Sequence, residues 1–448
     1  MKKNDRFTMT AEALGAELEG ICRHEGMAVF VPGLLPGESA DIRIVKTDKR
    51  FAFRRMETPP FTASADRRCP GCAAYPRCGG CSGRHMSYEA TLEAKRRHVE
   101  DCFRRIGGIP VEVPPLLGMA EPCAYRNKTS LPVGGEAGRP AIGFYAPRSH
   151  DIIPATACPN AMKPSRAIAE AFEAWMRKSG IEPYHETTHT GIVRHLVIRV
   201  NREKQSMVTV VVNAENLPHA DELIRTLIPL GVISFYININ KARTNVILGE
   251  QYRLLYGRET LSDTLCGLHF ELSPASFFQV NPEQTEKLYA TALDFAGPES
   301  TDTLCDVYCG AGTITLMMAR HVRRAIGIEI VPAAIENARA NAVRNEISNA
   351  EFHTGSAEEL LPQMVSAGMR PDMIVVDPPR KGLDRTVIDA IAAAGPKRLV
   401  YISCDVATQA RDAAYLKEKG YRPDRIQPVD MFCWTAGVEN VARFRPVP

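Results

Sequence analysis

The stretch Thr303-Leu-Cys-Asp-Val-Tyr-Cys-Gly310-Ala-Gly312-Thr-Ile-Thr-Leu-Met-Met-Ala319 decides the fold. It reads as an apolar strand, a glycine turn and a helix. A tight glycine turn lets the backbone approach a ligand closely. Nineteen residues past Gly310, a second strand ends in Glu329, a carboxylate placed to accept two ribose hydroxyls. This pattern serves both dinucleotides and S-adenosylmethionine. The latter is favoured, because Thr315 stands where the dinucleotide fingerprint has its third glycine and no cation is at hand for a pyrophosphate.

Two further strands extend this unit. Met373-Ile-Val-Val-Asp377-Pro-Pro-Arg380 ends in an acid, and Lys397-Arg-Leu-Val-Tyr-Ile-Ser-Cys404 delivers a cysteine to its carboxyl end. Ligands of open α/β sheets gather outside those ends. Cys404 is therefore either a nucleophile or a buried structural thiol. Pro-Pro-aromatic motifs hold exocyclic amines in amino-methylating enzymes, and here Arg380 replaces the aromatic, which argues against an amino nitrogen as the target. From about Leu265 the pattern reads strand–helix–strand, as in a parallel sheet.

Methylating carbon 5 of uracil needs a thiolate at carbon 6 and then a base to remove the carbon-5 proton. Cys404 suits the first role. Glu439, an acid in the apolar run 429–441, is either that base, with its pKa raised by burial, or an exposed strand residue.

With 448 residues, about three domains are expected. No signal peptide or membrane span is read, so the thirteen cysteines point to a reducing cytoplasm and to metal or catalytic roles. The net charge of +3 is uninformative, but its distribution is not. Residues 8–57 read as short strands with turns at Gly26, Pro32-Gly33 and Pro36-Gly37, and 43–55 carries six cations, Arg43, Lys46, Lys49, Arg50, Arg54 and Arg55, interleaved with Phe51 and Phe53. Cations for phosphates with aromatic faces for unpaired bases fit single-stranded RNA. The plainer reading is a solvated edge strand.

Cys69, Cys72, Cys78 and Cys81 fall within thirteen residues, a metal site by density. A zinc knuckle would use all four, although the gap between the pairs is short. A [4Fe–4S] cluster would use Cys72, Cys78 and Cys81 with a distant thiol, for which Cys158 is the best candidate. Residues 88–106 read as a charged amphipathic helix, and strands beyond Ala124 suggest a mostly antiparallel sheet with crossing helices. Arg126, Lys128, Arg194 and His195 are assigned no chemistry.

Taken together, the segments EGMAVFVPGLLPGE, CAAYPRCGGC, SFFQVN, DVYCGAGTITL, DPPRKG, YISCD and the C-terminal DMF…T…VE resemble the RNA uracil-5-methyltransferases, the group of 23S rRNA and tRNA (uracil-5-)-methyltransferases, across nearly the whole chain. The resemblance implies a multidomain α/β protein: a TRAM/OB-like β-barrel over 1–62, a central α+β domain over 63–87 and 123–265 with the cysteine cluster, and a Rossmann-like S-adenosylmethionine-dependent methyltransferase domain over 88–122 and 266–448. It implies Cys404 as nucleophile and Glu439 as base. It implies Gln279, Tyr308, Glu329 and Asp377 at S-adenosylmethionine. It implies a [4Fe–4S] cluster on Cys72, Cys78, Cys81 and Cys158, with Cys69 as an extra. A monomer acting on RNA is expected, on 23S rRNA rather than the tRNA T-loop.

The sequence departs from the family pattern at four places. Cys433 replaces a proline, Gly437 a histidine, and Asp405 the asparagine after the nucleophile, which would raise the thiol pKa. Ser356 replaces an amide or acid near the adenine. Methylation of a base amine, or RNA binding by a degenerate methyltransferase fold, are the competing readings.

Overall fold

The computed structural model describes residues 2–48 and 51–447. Six strands, Arg6–Thr10, Ala13–Leu14, Gly20–His24, Met27–Val31, Ser39–Thr47 and Phe51–Met56, form one sheet that curls on itself. Its concave side buries Met9, Cys22, Val29, Val31, Leu34, Ala40 and Ile42. Gly26, Gly33 and Gly37 all take positive φ, as the expected turns require. Lys49 and Arg50 lie outside the described residues, as do the side chains of Phe53 and Arg54. Lys46 and Arg55 are exposed. Arg43 is paired with Glu57 at 3.2 Å, and Phe51 packs edge-on against Phe30 with ring centroids 6.1 Å apart. Those two side chains are thus engaged within the barrel itself.

The helix Tyr88–Arg105 starts where Ser87 Oγ accepts the Ala90 amide at 3.2 Å. Its buried face carries Val99, Cys102 and Phe103 into the same core as the C-terminal sheet. It also carries Lys95, fully buried, whose ammonium meets the Asp430 carboxylate at 2.5 Å. A buried charge needs such a partner.

The middle of the chain is a seven-stranded sheet built from Lys128–Glu136, Arg139–Tyr145, Ile152–Pro154, Val193–Val200, Ser206–Val212, Val232–Ile239 and Gln251–Gly257. It is antiparallel except for one pair, Ser206–Val212 with Val232–Ile239. The helices Lys163–Ser179 and Ala220–Leu227 cover it. Arg194 is buried and donates to the carbonyls of Asn240, Ala242 and Thr244, a structural task.

The parallel unit starts later than expected. Leu261–Leu265 and Leu268–Leu272 form an antiparallel hairpin, because Cys266 and Gly267 both take positive φ (52° and 72°) and reverse the chain in two residues. The helix Pro282–Ala296 follows, and then seven strands form the C-terminal sheet. These are β1 (Thr303–Val307), β2 (Arg324–Glu329), β3 (Ala350–Thr354), β4 (Met373–Val376), β5 (Arg398–Ser403), β6 (Tyr421–Val429) and β7 (Glu439–Pro446). Their spatial order is β3-β2-β1-β4-β5-β7-β6. The first five pair in parallel, and β7 runs antiparallel between β5 and β6. β1 and β4 are buried along their whole length; β4 reads as an unbroken apolar run, whereas β1 carries the buried Asp306. No helix among the described residues is long and apolar enough to cross a membrane.

Candidate active site

The carboxyl ends of β1, β2, β4 and β5 form one edge of the sheet, and they carry Tyr308, Glu329, Asp377 and Cys404. β7 brings a fifth group. Its ladder with β5 ends at Ser403 and Asn440, so Cys404, one residue past the end of β5, and Glu439, the first residue of β7, come to the same end of the pair. Glu439 is only 4% exposed, which excludes an exposed strand position.

The electrostatics follow from that crowding. Burial lifts the Glu439 carboxyl well above the usual range; the neighbouring Asp377 adds to this and Arg380 opposes it. Asp377 is pushed up to about 7 by burial and by Asp306 behind it. The Cys404 thiol, half-buried, is pushed up to about 11 by burial, then by Glu439 and Asp377, while the charge and hydrogen bond of Arg380 pull it down. At rest this is a neutral thiol beside two acids of raised pKa, with one guanidinium able to favour the thiolate. Arg380 is the partner that sequence reasoning misses. Its motif is plain in the chain, but nothing in the spacing says that its side chain turns to the next strand.

The departures have local explanations. Asp405 is the N-cap of the helix Val406–Glu418 and accepts the Thr408 amide at 3.0 Å. The acids acting most strongly on Cys404 are Glu439 and Asp377. Ser356 caps the helix Ala357–Ser366 through the Glu359 amide. Cys433 is fully buried, 3.5 Å from the Tyr88 hydroxyl. A Cβ on Gly437 would sit 3.2 Å from the Phe432 ring, so a histidine there would require Phe432 to move.

At the glycine turn, the Glu329 carboxylate accepts the amides of Gly310 (3.1 Å) and Val331 (2.9 Å). Gly312 packs against Phe352 and Ala338, where a Cβ would come within 3.0 Å, whereas a Cβ on Gly310 would meet nothing within 4 Å. Thr315 bonds the buried Asp306 carboxylate at 2.5 Å, which explains a threonine at that place. The Tyr308 hydroxyl is buried without a hydrogen-bond partner. An open glycine turn and an unpaired hydroxyl are compatible with a nucleoside-bearing cofactor. Gln279 sits half-buried in the loop before Pro282–Ala296, its carbonyl held by Asn127 Nδ2 at 2.9 Å.

Some distance from this edge, Cys72, Cys78, Cys81 and Cys158 line a single cavity of about 100 Å³ with Tyr75 and Arg84. Cys69 is exposed and is not among the lining residues. Burial raises the Cys78 thiol and lifts Cys81 to about 11, and the neighbouring thiols add to both shifts. The Gly80 amide and Asn160 Nδ2 donate to the sulfurs of Cys78 and Cys81 at 3.3 and 3.4 Å. Among the described residues, no three His, Cys, Asp or Glu side chains are gathered closely enough to hold a metal.

Known proteins place the fold. Residues 235–442 match the family described as tRNA (Uracil-5-)-methyltransferase, and residues 4–55 match the TRAM domain. An uncharacterized RNA methyltransferase of Clostridium tetani is 40% identical over 98% of this chain and 96% of its own. One of Listeria monocytogenes serotype 4b is 42% identical over 98% of both chains. Among solved structures, the Pyrococcus abyssi tRNA (uracil-54, C5)-methyltransferase in complex with S-adenosyl-L-homocysteine superposes with a TM-score of 0.78 at 27% identity, covering 98% of this chain and all of that one. Barrel, methyltransferase sheet and full-length relatives agree: the chain belongs to the RNA (uracil-5-)-methyltransferase family and carries an N-terminal TRAM domain.

Proposed function

We propose that this protein methylates carbon 5 of a uridine in 23S rRNA through a covalent adduct on Cys404. The observation that carries the reading is the buried Glu439 at the start of β7, close enough to Cys404 at the end of β5 to raise its thiol. S-adenosylmethionine supplies an electrophilic methyl group when bound, and Gln279, Tyr308, Glu329 and Asp377 are the residues proposed to hold it. Arg380 favours the Cys404 thiolate, which adds to carbon 6 of the uracil and makes carbon 5 nucleophilic. After carbon 5 has gained the methyl group, Glu439 removes its remaining proton, the carbon–sulfur bond breaks, and the thiolate leaves. Desolvation makes Glu439 a stronger base than a solvated carboxylate.

The proposed division of labour keeps the barrel at 1–62, the cysteine-bearing central domain at 63–87 and 123–265, and the methyltransferase domain at 88–122 and 266–448. The shared core of the helix Tyr88–Arg105 and the C-terminal sheet supports that discontinuity. The cavity is proposed to hold a [4Fe–4S] cluster on Cys72, Cys78, Cys81 and Cys158. Cys158→Ser should then lose the iron and sulfide that Cys69→Ser retains. Stoichiometric zinc, unaffected by Cys158→Ser, would favour the knuckle. The second substrate reading, a tRNA T-loop uridine, is supported by the Pyrococcus abyssi neighbour. Mass mapping of 5-methyluridine in rRNA and tRNA from a deletion strain decides between them, and loss from neither RNA refutes both.

A further inference from the structure

Glu439 is reached through the segment 430–438, and that segment leans on the cysteine-rich loop. The amides of Ser82 and Gly83, directly after Cys81, both donate to the carbonyl of Trp434, at 3.0 and 2.9 Å. The Arg84 guanidinium lies 5.3 Å from the centroid of the Trp434 ring. Arg84 also donates to the Pro70 carbonyl at 3.0 Å and to Asn160 Oδ1 at 2.8 Å. Asn160 in turn donates to the Cys81 sulfur. From the other side, the indole N–H of Trp434 donates to the Pro122 carbonyl at 2.5 Å.

Two features say that this contact is enforced. Trp434 has φ 68°, a left-handed conformation that a bulky residue adopts only when its surroundings impose it. And Gly83 is closely packed: a Cβ there would come within 2.9 Å of the side chains of Leu18 in the barrel and of Thr91 in the helix Tyr88–Arg105. The loop amides are thus wedged against two other parts of the fold while they grip Trp434.

We propose that the cysteine-rich loop sets the placement of the base, with Trp434 as a positioning residue that passes the constraint five residues along the chain to Glu439. The loop is in turn ordered by whatever occupies the thiol-lined cavity, through Cys81, Asn160 and Arg84. This rests on the reading of Glu439 as the base. It adds that emptying the cavity disturbs proton removal more than methyl transfer.

Two measurements test it. The chain has two tryptophans, so Trp175→Phe leaves Trp434 as the only indole emitter. In the full-length protein with that change, introducing Cys81→Ser should red-shift the emission and raise its quenching by acrylamide. Unchanged emission overturns the coupling. The second uses RNA tritiated at carbon 5 of the target uridine, in a single turnover. Trp434→Ala should slow tritium release by about 10- to 100-fold, the cost of a misplacement near 1 Å, while methyl incorporation stays near wild type and the covalent adduct accumulates. Trp434→Phe should restore release. Equal loss of both rates, or of neither, refutes a positioning role. If Trp434→Ala fails to fold, Arg84→Ala is read in its place with the same expectation. A wild-type protein that forms no adduct with 5-fluorouridine RNA refutes the Cys404–Glu439 reading, and the emission measurement then decides the coupling alone.

Discussion

Cys404, one residue past the end of β5, and Glu439, the first residue of β7, come together at one end of the β5–β7 pair, beyond Ser403 and Asn440. An antiparallel strand inserted beside the last parallel one is what makes this possible: the chain turns back and sets a C-terminal acid at the same edge as the nucleophile. The carboxylate raises the thiol and burial raises the carboxylate, so each group favours its protonated form more than it would free in water.

The thiol chemistry should depend on pH in a defined direction. Because the Cys404 thiol is pushed up to about 11, its alkylation by iodoacetamide, followed on the Cys404 peptide by mass spectrometry, should quicken about tenfold per pH unit between 7 and 10. Arg380 lowers this pKa, so Arg380→Ala should slow alkylation at every pH in that range. Glu439 raises it, so Glu439→Gln should speed alkylation. A reversed sign for either variant contradicts the geometry.

The Lys95–Asp430 pair should be costly to break. Both groups are fully buried, and Asp430 also accepts the Tyr88 hydroxyl at 2.6 Å. Lys95→Ala leaves a buried carboxylate without its cation and should lower the stability measured by urea unfolding by about 3–5 kcal/mol. A Lys95→Ala protein as stable as wild type would mean that the pair is solvated in solution.

RNA affinity should depend on the exposed cations of the barrel. Lys46→Ala and Arg55→Ala should each weaken binding and lower the slope of log K against log salt by about one, since each removes a cation that neutralises one phosphate. S-adenosylmethionine binding should not change. An unaltered slope returns the strand to a solvated edge.

Much of this site is legible in the chain because strand ends are short-range features. Four apolar runs, each closed by Tyr308, Glu329, Asp377 or Cys404, need only a parallel sheet to bring those residues together. What is not legible is pairing at long range. Lys95 and Asp430 are 335 residues apart, and nothing in either neighbourhood marks them as partners. The tilt of Arg380 toward Cys404 is set by packing. The hairpin at Cys266-Gly267 goes unread although its strands, Leu261–Leu265 and Leu268–Leu272, alternate buried with more exposed residues as a half-solvated antiparallel pair does.

Glu439→Gln with ordinary uridine in the target RNA tests the catalytic assignment most directly. Methyl transfer precedes the step that needs the base, so the variant should trap a protein–RNA adduct stable to denaturants, which Cys404→Ala should not form. A Glu439→Gln protein that turns over near the wild-type rate without trapping RNA would contradict the assignment of Glu439.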